Sequence, residues 1–259
     1  MKKYLAIFKF NLKSEFNFKV DYLFSMLSFA VHIFVFNALW NYILQGKAVA
    51  GYTKSELIWY IIVGEFIAYS VGKKNYINIS NMIKNGDVAN ILTKPLSFMK
   101  YVISLEATSI VNIGVNFVFG IILGICMAGK ITLEPLQICL FFISLILSLS
   151  IAIMMSVFIG MLAFLTEENK SFYMVISKAM LLLIFTPIEF FPSTVQTILR
   201  FLPTTYEVFP PGKILVSYDL NTALTLIGCQ VIALLVVYGA AYAINLKGVR
   251  NINVNGGKK

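Results

Sequence analysis

Apolar runs of membrane-spanning length alternate along this chain with short polar segments. Continuous hydrophobicity predicts six transmembrane helices, at Tyr22–Leu44, Leu57–Gly72, Val102–Ala128, Pro135–Phe164, Phe172–Thr186 and Thr222–Leu246, because about 20 apolar residues at roughly 1.5 Å each cross the hydrocarbon core. The fifth run is short, holds Lys178 and stops at Pro187, whose missing amide and ring clash end a helix. Ahead of the first run, Leu5, Phe8, Leu12 and Phe16 recur at three- and four-residue steps among lysines, the pattern of a helix lying in the membrane interface. Residues 1–21 are assigned to it. Between the last two runs, "PIEFFPSTVQTILRFLP" places Val195, Ile198, Leu199 and Leu202 at helical spacing, with Ser193 and Gln196 offering a capping box. The segment 187–221 therefore reads as a re-entrant or interfacial element carrying a short amphipathic helix. The predicted fold class is an all-α polytopic membrane protein, one transmembrane domain over 1–259 with a cytoplasmic loop at 73–101 and a cytoplasmic tail at 247–259.

Composition agrees. Hydrophobic residues make up 59 % and charged residues 13 %, against roughly 45–50 % and about 25 % in soluble domains, so no separate soluble domain has room to fold. The net charge of +9 is dispersed in loops, which excludes nucleic acid as a partner and leaves membrane topology as its explanation. Fifteen lysines and arginines fall in the N-terminal segment, the loop after the second run, Lys170 and the tail, and five (Lys47, Lys54, Lys130, Arg200, Lys213) in the alternate loops. That asymmetry places both termini in the cytoplasm. The first run is too long for a signal-peptide core and no small-residue cleavage site follows it, so it is expected to stay in the mature protein. Cys126, Cys139 and Cys229 lie inside apolar runs without paired spacing and read as small core residues.

The most articulated polar segment is "IKNGDVANILTKPLS", Ile83 to Ser97. Ile79, Met82 and Ile83 form one apolar face, and Val88, Ile91 and Leu92 a second. Asn85-Gly86 between them is a helix stop, Asp87 an N-cap, and Pro95 a terminator. Two short helices are expected, with apolar faces for which the sequence offers no internal partner. They suit either a solvated loop resting on lipid headgroups or a docking element for a soluble partner.

Catalytic chemistry is missing. No G-x-x-x-x-G-K-[ST] cradle for nucleotide phosphates occurs, no nucleophile–base pair, and no cluster of metal ligands around the single histidine, His32. Four ionisable residues fall at membrane depth, where such groups pair or serve function. His32 and Glu65 lie roughly 10–15 Å from the cytoplasmic boundary at about 1.5 Å per residue, at matching depth for a pair. Glu106 and Lys178 each sit about one turn inside and are expected to pair if the third and fifth spans touch. Structural pairing and a place in the substrate pathway are the two readings of all four. Ser144, Ser148, Ala152, Ser156 and Gly160 form a small-residue stripe at four-residue steps, which permits close helix approach within the bundle or against a second subunit.

"NMIKNGDVANILTKPLSFMKYV" resembles the cytoplasmic loop of type-2 ABC exporter permeases, and "PIEFFPSTVQTILRFLPTTYEVFPPGKIL" resembles that family's outer segment before the last span. With six spans and an amphipathic N-terminal helix, the resemblance covers nearly the whole chain. It implies that Ile83, Gly86, Asp87, Val88, Ile91, Leu92, Lys94 and Pro95 couple to a cytoplasmic ABC ATPase, with "TEENKSFY" (Thr166 to Tyr173) as a lesser contact. It also implies two ATPase copies, a second permease subunit (identical or homologous), ATP and Mg bound by the ATPase and no cofactor in this chain, and a bacterial plasma membrane location. Apolar or amphipathic substrates are expected. An ion-coupled secondary transporter is the rival reading, and it would show corresponding broken or charged helices in two halves, which the sequence lacks.

Overall fold

The computed structural model describes residues 2–15, 19–71, 74–166, 169–250, 252–253 and 257–258. Phe16, Lys73, Glu167, Glu168 and Lys259, named above, lie outside these. Helices dominate: α1 Lys2–Glu15, α2 Lys19–Leu44, α3 Lys54–Ser70, α4 Lys74–Lys84, α5 Asp87–Leu92, α6 Phe98–Glu106, α7 Ile110–Ala128, α8 Pro135–Met161, α9 Lys170–Phe185, α10 Ser193–Arg200, α11 Pro203–Val216 and α12 Leu220–Arg250. A two-residue antiparallel pair, Ile252–Asn253 with Gly257–Lys258, follows α12.

Among the described residues, four stretches are long and apolar enough to cross a membrane: Tyr22–Leu44, Phe98–Ala128, Pro135–Phe164 and Leu220–Arg250. The expected second and fifth spans correspond to α3 and α9, helices of 17 and 16 residues. At about 1.5 Å per residue these reach roughly 25 Å, short of the roughly 30 Å core. The third run is also not one smooth helix, because a 3-10 turn at Ala107–Ser109 separates α6 from α7.

Bonding between distant residues defines two ends. At one end, Ser55 Oγ donates to the Ala128 carbonyl (2.7 Å) and Trp59 Nε1 to the Gly129 carbonyl (3.1 Å). At the other, Phe98 packs edge-on against Phe164, and Ser80 Oγ bonds Asn169 Oδ1 at 3.1 Å. This second end gathers α4, α5, α6 and the α8–α9 connection. It also holds α1, which lies along α6 and whose Tyr4 hydroxyl accepts from the Ser97 amide at 2.8 Å. Leu5 and Phe10 remain exposed, so α1 keeps apolar surface beyond its contact with α6.

The outer segment holds more helix than its sequence pattern predicts. After α10 the chain turns back as α11, which packs among α3, α8, α9 and α12 and has eleven buried residues. In apolar surroundings each backbone polar group needs a protein partner, and this segment's prolines leave carbonyls without their usual amide four residues on. Pro210 orphans the Tyr206 carbonyl, which Gln230 Nε2 reaches at 3.1 Å. Pro187 orphans that of Leu183, which the Tyr60 hydroxyl reaches at 2.8 Å. Ahead of Pro203, the Leu199 carbonyl accepts from the Leu202 amide at 3.0 Å and also from the Thr205 hydroxyl. At the end of α11, Gln137 Nε2 donates to the carbonyls of Ile214 (3.0 Å) and Leu215 (2.9 Å). The expected Ser193 cap does not form: Pro192 occupies the cap position, and the Gln196 side chain bonds the Phe191 carbonyl instead.

The small-residue stripe of α8 packs within the chain. Ser144 and Ser148 bond Gln230 of α12, and a side chain at Gly160 would meet Ile79 of α4 at 2.6 Å. Gly124 of α7 similarly lies against the Trp59 ring, where a Cβ would stand 2.3 Å from the nearest ring atom. Gly114, on the same helix, faces open space.

We predict opposite outcomes for two identical substitutions in α7. Gly124→Ala should lower the thermal midpoint of the detergent-extracted protein, a loss of about 1–3 kcal/mol from overpacking, because the indole is tethered at Gly129 and has nowhere to retreat. Gly114→Ala should leave the midpoint unchanged or raise it, since alanine is the better helix former. Size-exclusion recovery after graded heating measures both.

Candidate functional site

Three polar features interrupt the apolar bundle. The first is the turn between α4 and α5. Gly86 sits at φ 78°, in the left-handed region that glycine adopts without strain, and its carbonyl accepts from the Ala89 amide at 3.0 Å. It caps α5 itself. Asp87, expected as the cap, occupies the first helical position and makes no side-chain cap bond.

The apolar faces flanking this turn do have an internal partner, contrary to the expectation from sequence. Val88 and Ile79 are buried in a core with Phe98, Met99, Met154 and Met161, against which Ile83, Ile91 and Leu92 are half-buried. What the stretch exposes is polar: Lys84, Asn85, Gly86, Asp87, Asn90, Lys94 and Pro95. Of the eight residues singled out for coupling, Gly86, Asp87, Lys94 and Pro95 form this tip, and Ile83, Val88, Ile91 and Leu92 fix it to the bundle.

The second feature is a cavity of about 330 Å³ bounded by α2, α3, α8, α9 and α11. His32 Nδ1 lies 3.1 Å from Glu65 Oε1; Glu65 is buried while the His32 side chain keeps 39 % of its surface. The bond is satisfied when Nδ1 carries the hydrogen and the carboxylate accepts. The His32 ring also meets Phe185 edge-on, 5.9 Å between centroids. Lys178 lines the same cavity from the exposed side of α9, and Glu207 of α11 lines it from a buried position. At the α4 end the rings of Tyr76 and Tyr173 stack at 4.2 Å. Glu106 is elsewhere, buried at the end of α6. Glu106 has its interactions there and Lys178 lines the cavity, so the expected Glu106–Lys178 pair does not form; ion pairs that do form are His32–Glu65 and Lys213–Glu189.

The third feature lies at the opposite end. Lys213 Nζ sits 2.9 Å from Glu189 Oε1 and donates to the Tyr52 hydroxyl at 2.9 Å, its charge also lying over the Tyr52 ring. Burial first, and then the neighbouring Glu189 carboxylate, push the Tyr52 hydroxyl well above its usual range, so it stays protonated. Glu189 Oε2 is buried without a hydrogen-bond partner. This node ties the α2–α3 loop, the turn before α10, and α11 together.

Sequence reading reached His32, Glu65 and Lys178 but missed Glu207, Glu189 and Lys213. The available signal was that three of the five charged residues within 187–221, Glu189, Glu207 and Lys213, stand among apolar and proline positions.

Comparison with known proteins gives one family-level result. The model of the family described as ABC-2 family transporter protein matches residues 26–256. No curated protein matches the chain.

Removing the cation of the Lys213 node should expose its interdependence. Lys213→Met alone leaves a half-buried carboxylate with one fewer partner and should cost about 1–3 kcal/mol of stability. Adding Glu189→Gln should recover part of that loss. Thermal midpoints of the two single variants and the double variant test this, and simple additivity would show the groups to be independent.

Proposed function

The chain belongs to the ABC-2 transporter family and is a multi-pass membrane subunit of an ABC transporter, and we propose that it is the permease of an exporter whose power stroke arrives through the tip between α4 and α5. Family membership implies an ABC ATPase as partner. The observation supporting the contact site is the tip's construction: an exposed polar surface from Lys84 to Pro95, backed by a buried Val88 and Ile79. Displacement of such a tip is passed to α8 through packed side chains, because close-packed interiors transmit strain. A loop resting on lipid headgroups has no need for that rigid backing.

In this reading two ATPase copies bind ATP and Mg and close beneath two permeases, and the bundle alternates between inward- and outward-facing states. The second permease covers apolar surface that this chain leaves exposed, such as Phe24, Leu27, Phe34 and Val35 on α2. α3 and α9 complete a six-span arrangement by crossing with the bundle's support. The end that carries α1, α4, α5 and the C-terminus of α12 faces the cytoplasm, as the fifteen-to-five division of basic residues requires, and the membrane is a bacterial plasma membrane.

Two experiments test this reading. Asn90→Arg with Lys94→Glu alters only exposed positions, so the permease should extract normally while losing about tenfold or more of its retained ATPase, since like-charge contacts and unpaired groups at an interface are costly. Val88→Asp should instead reduce the extracted protein, because it puts a charge into a sealed core. Normal ATPase retention and transport by the tip variant would reject the coupling assignment. For sidedness, cysteines at Lys3 and Lys84, in a background lacking Cys126, Cys139 and Cys229, should react with an impermeant maleimide only after permeabilisation.

A further inference from the structure

The cavity between α2, α3, α8, α9 and α11 holds a carboxyl that no side chain of the bundle engages. Glu207 is 5 % exposed and lines the cavity, yet among the described residues no hydrogen bond or ion pair engages its carboxyl. The second acid, Glu65, is held by His32, and Lys178 stands on the exposed side of α9. A carboxyl with so little exposure and no donor from the protein is costly to keep ionised. Its retention is explained if its partner arrives from outside.

We infer that this cavity binds an amphipathic organic cation, with Glu207 as the group that recognises the positive charge. Three features set the class. The carboxyl demands a cation. The remaining wall, including Ile67, Ala152, Met155, Ile159 and Ile184, is apolar, so a bare inorganic ion would leave it uncovered, whereas a cation carrying hydrocarbon fills it. The stacked Tyr76 and Tyr173 line the α4 end, and aromatic rings are favourable neighbours for ammonium and phosphonium groups. The volume of about 330 Å³ lies at the small end of the range for organic ligands, about 300–1,000 Å³. Lys178 on the rim disfavours a second positive charge and so selects monovalent cations. This inference rests on the permease reading in taking such a cation as cargo.

The test uses the full-length purified permease and the tetraphenylphosphonium cation, with tetraphenylborate as its near-isosteric anion, by equilibrium dialysis in one detergent. Tetraphenylphosphonium should bind saturably, and tetraphenylborate, dialysed separately because the two ions precipitate each other, should bind far more weakly. Glu207→Gln should weaken tetraphenylphosphonium binding by about tenfold or more, and Lys178→Glu should tighten it several-fold, in line with the loss of one adjacent charge and the reversal of a more distant, solvent-screened one. The Lys178 change lies on an exposed residue, so it decides the matter even if Glu207→Gln reduces folded protein: unchanged affinity there overturns the proposal. Equal affinity of wild type for the anion overturns it as well. ATPase retention is measured on the same samples. Charge-dependent binding without a retained ATPase keeps the site and rejects the permease reading; a retained ATPase with binding indifferent to both substitutions does the reverse.

Discussion

The architecture depends on supplying hydrogen-bond donors to carbonyls that proline has orphaned inside an apolar bundle. Pro187 and Pro210 each remove the amide that would have bonded four residues back, and each freed carbonyl is met by a side chain: the Tyr60 hydroxyl and the Gln230 amide. Without them the segment after α9 would have to remain at the aqueous surface, because water is not there to satisfy it at depth. With them, α11 enters the centre of the bundle. Glu207 travels in on its middle and Lys213 on its last turns, so the cavity and the opposite polar node both depend on the same accommodation.

α8 connects the remaining parts. Along its length it bonds Gln230 through Ser144 and Ser148, lines the cavity with Ala152 and Met155, and receives Ile79 against Gly160. The Gln230 contact, the cavity and the α4 contact therefore share one helix of 27 residues. A displacement at its α4 end has few ways to dissipate before it reaches the cavity, because small residues have drawn its neighbours into close contact.

Hydrophobic run length sufficed to locate the helical segments from Tyr22 onward, since span-length apolar stretches have few alternatives. The second and fifth runs were already short in the sequence, bounded by lysines and by Pro187, and α3 and α9 keep that shortness at 17 and 16 residues. The periodicity around Val88 identified an apolar face correctly, but periodicity carries no information about what covers a face. Phe98 and Met99 follow within the next dozen residues, yet Met154 and Met161 are more than sixty away. α11 was the hardest element to read. "PTTYEVFPPGKILV" has three prolines and two charges and resembles a loop until its donors are known, and Gln137 and Gln230 lie 77 and 24 residues from the carbonyls they satisfy. Gln230 in particular looked like an ordinary polar residue in an apolar helix.

The placement of the aromatic indoles has an optical consequence. The chain has two tryptophans, and both belong to the end opposite α4 and α5: Trp40 packs edge-on against Phe190, and Trp59 donates to the Gly129 carbonyl. Both rings are nearly sealed from solvent, at 6 % and 7 % exposure. Intrinsic emission is thus a built-in reporter for one face of the molecule. Opening of that end brings water to both indoles and moves their emission to longer wavelength, while a rearrangement confined to the α4–α5 end leaves the spectrum unchanged.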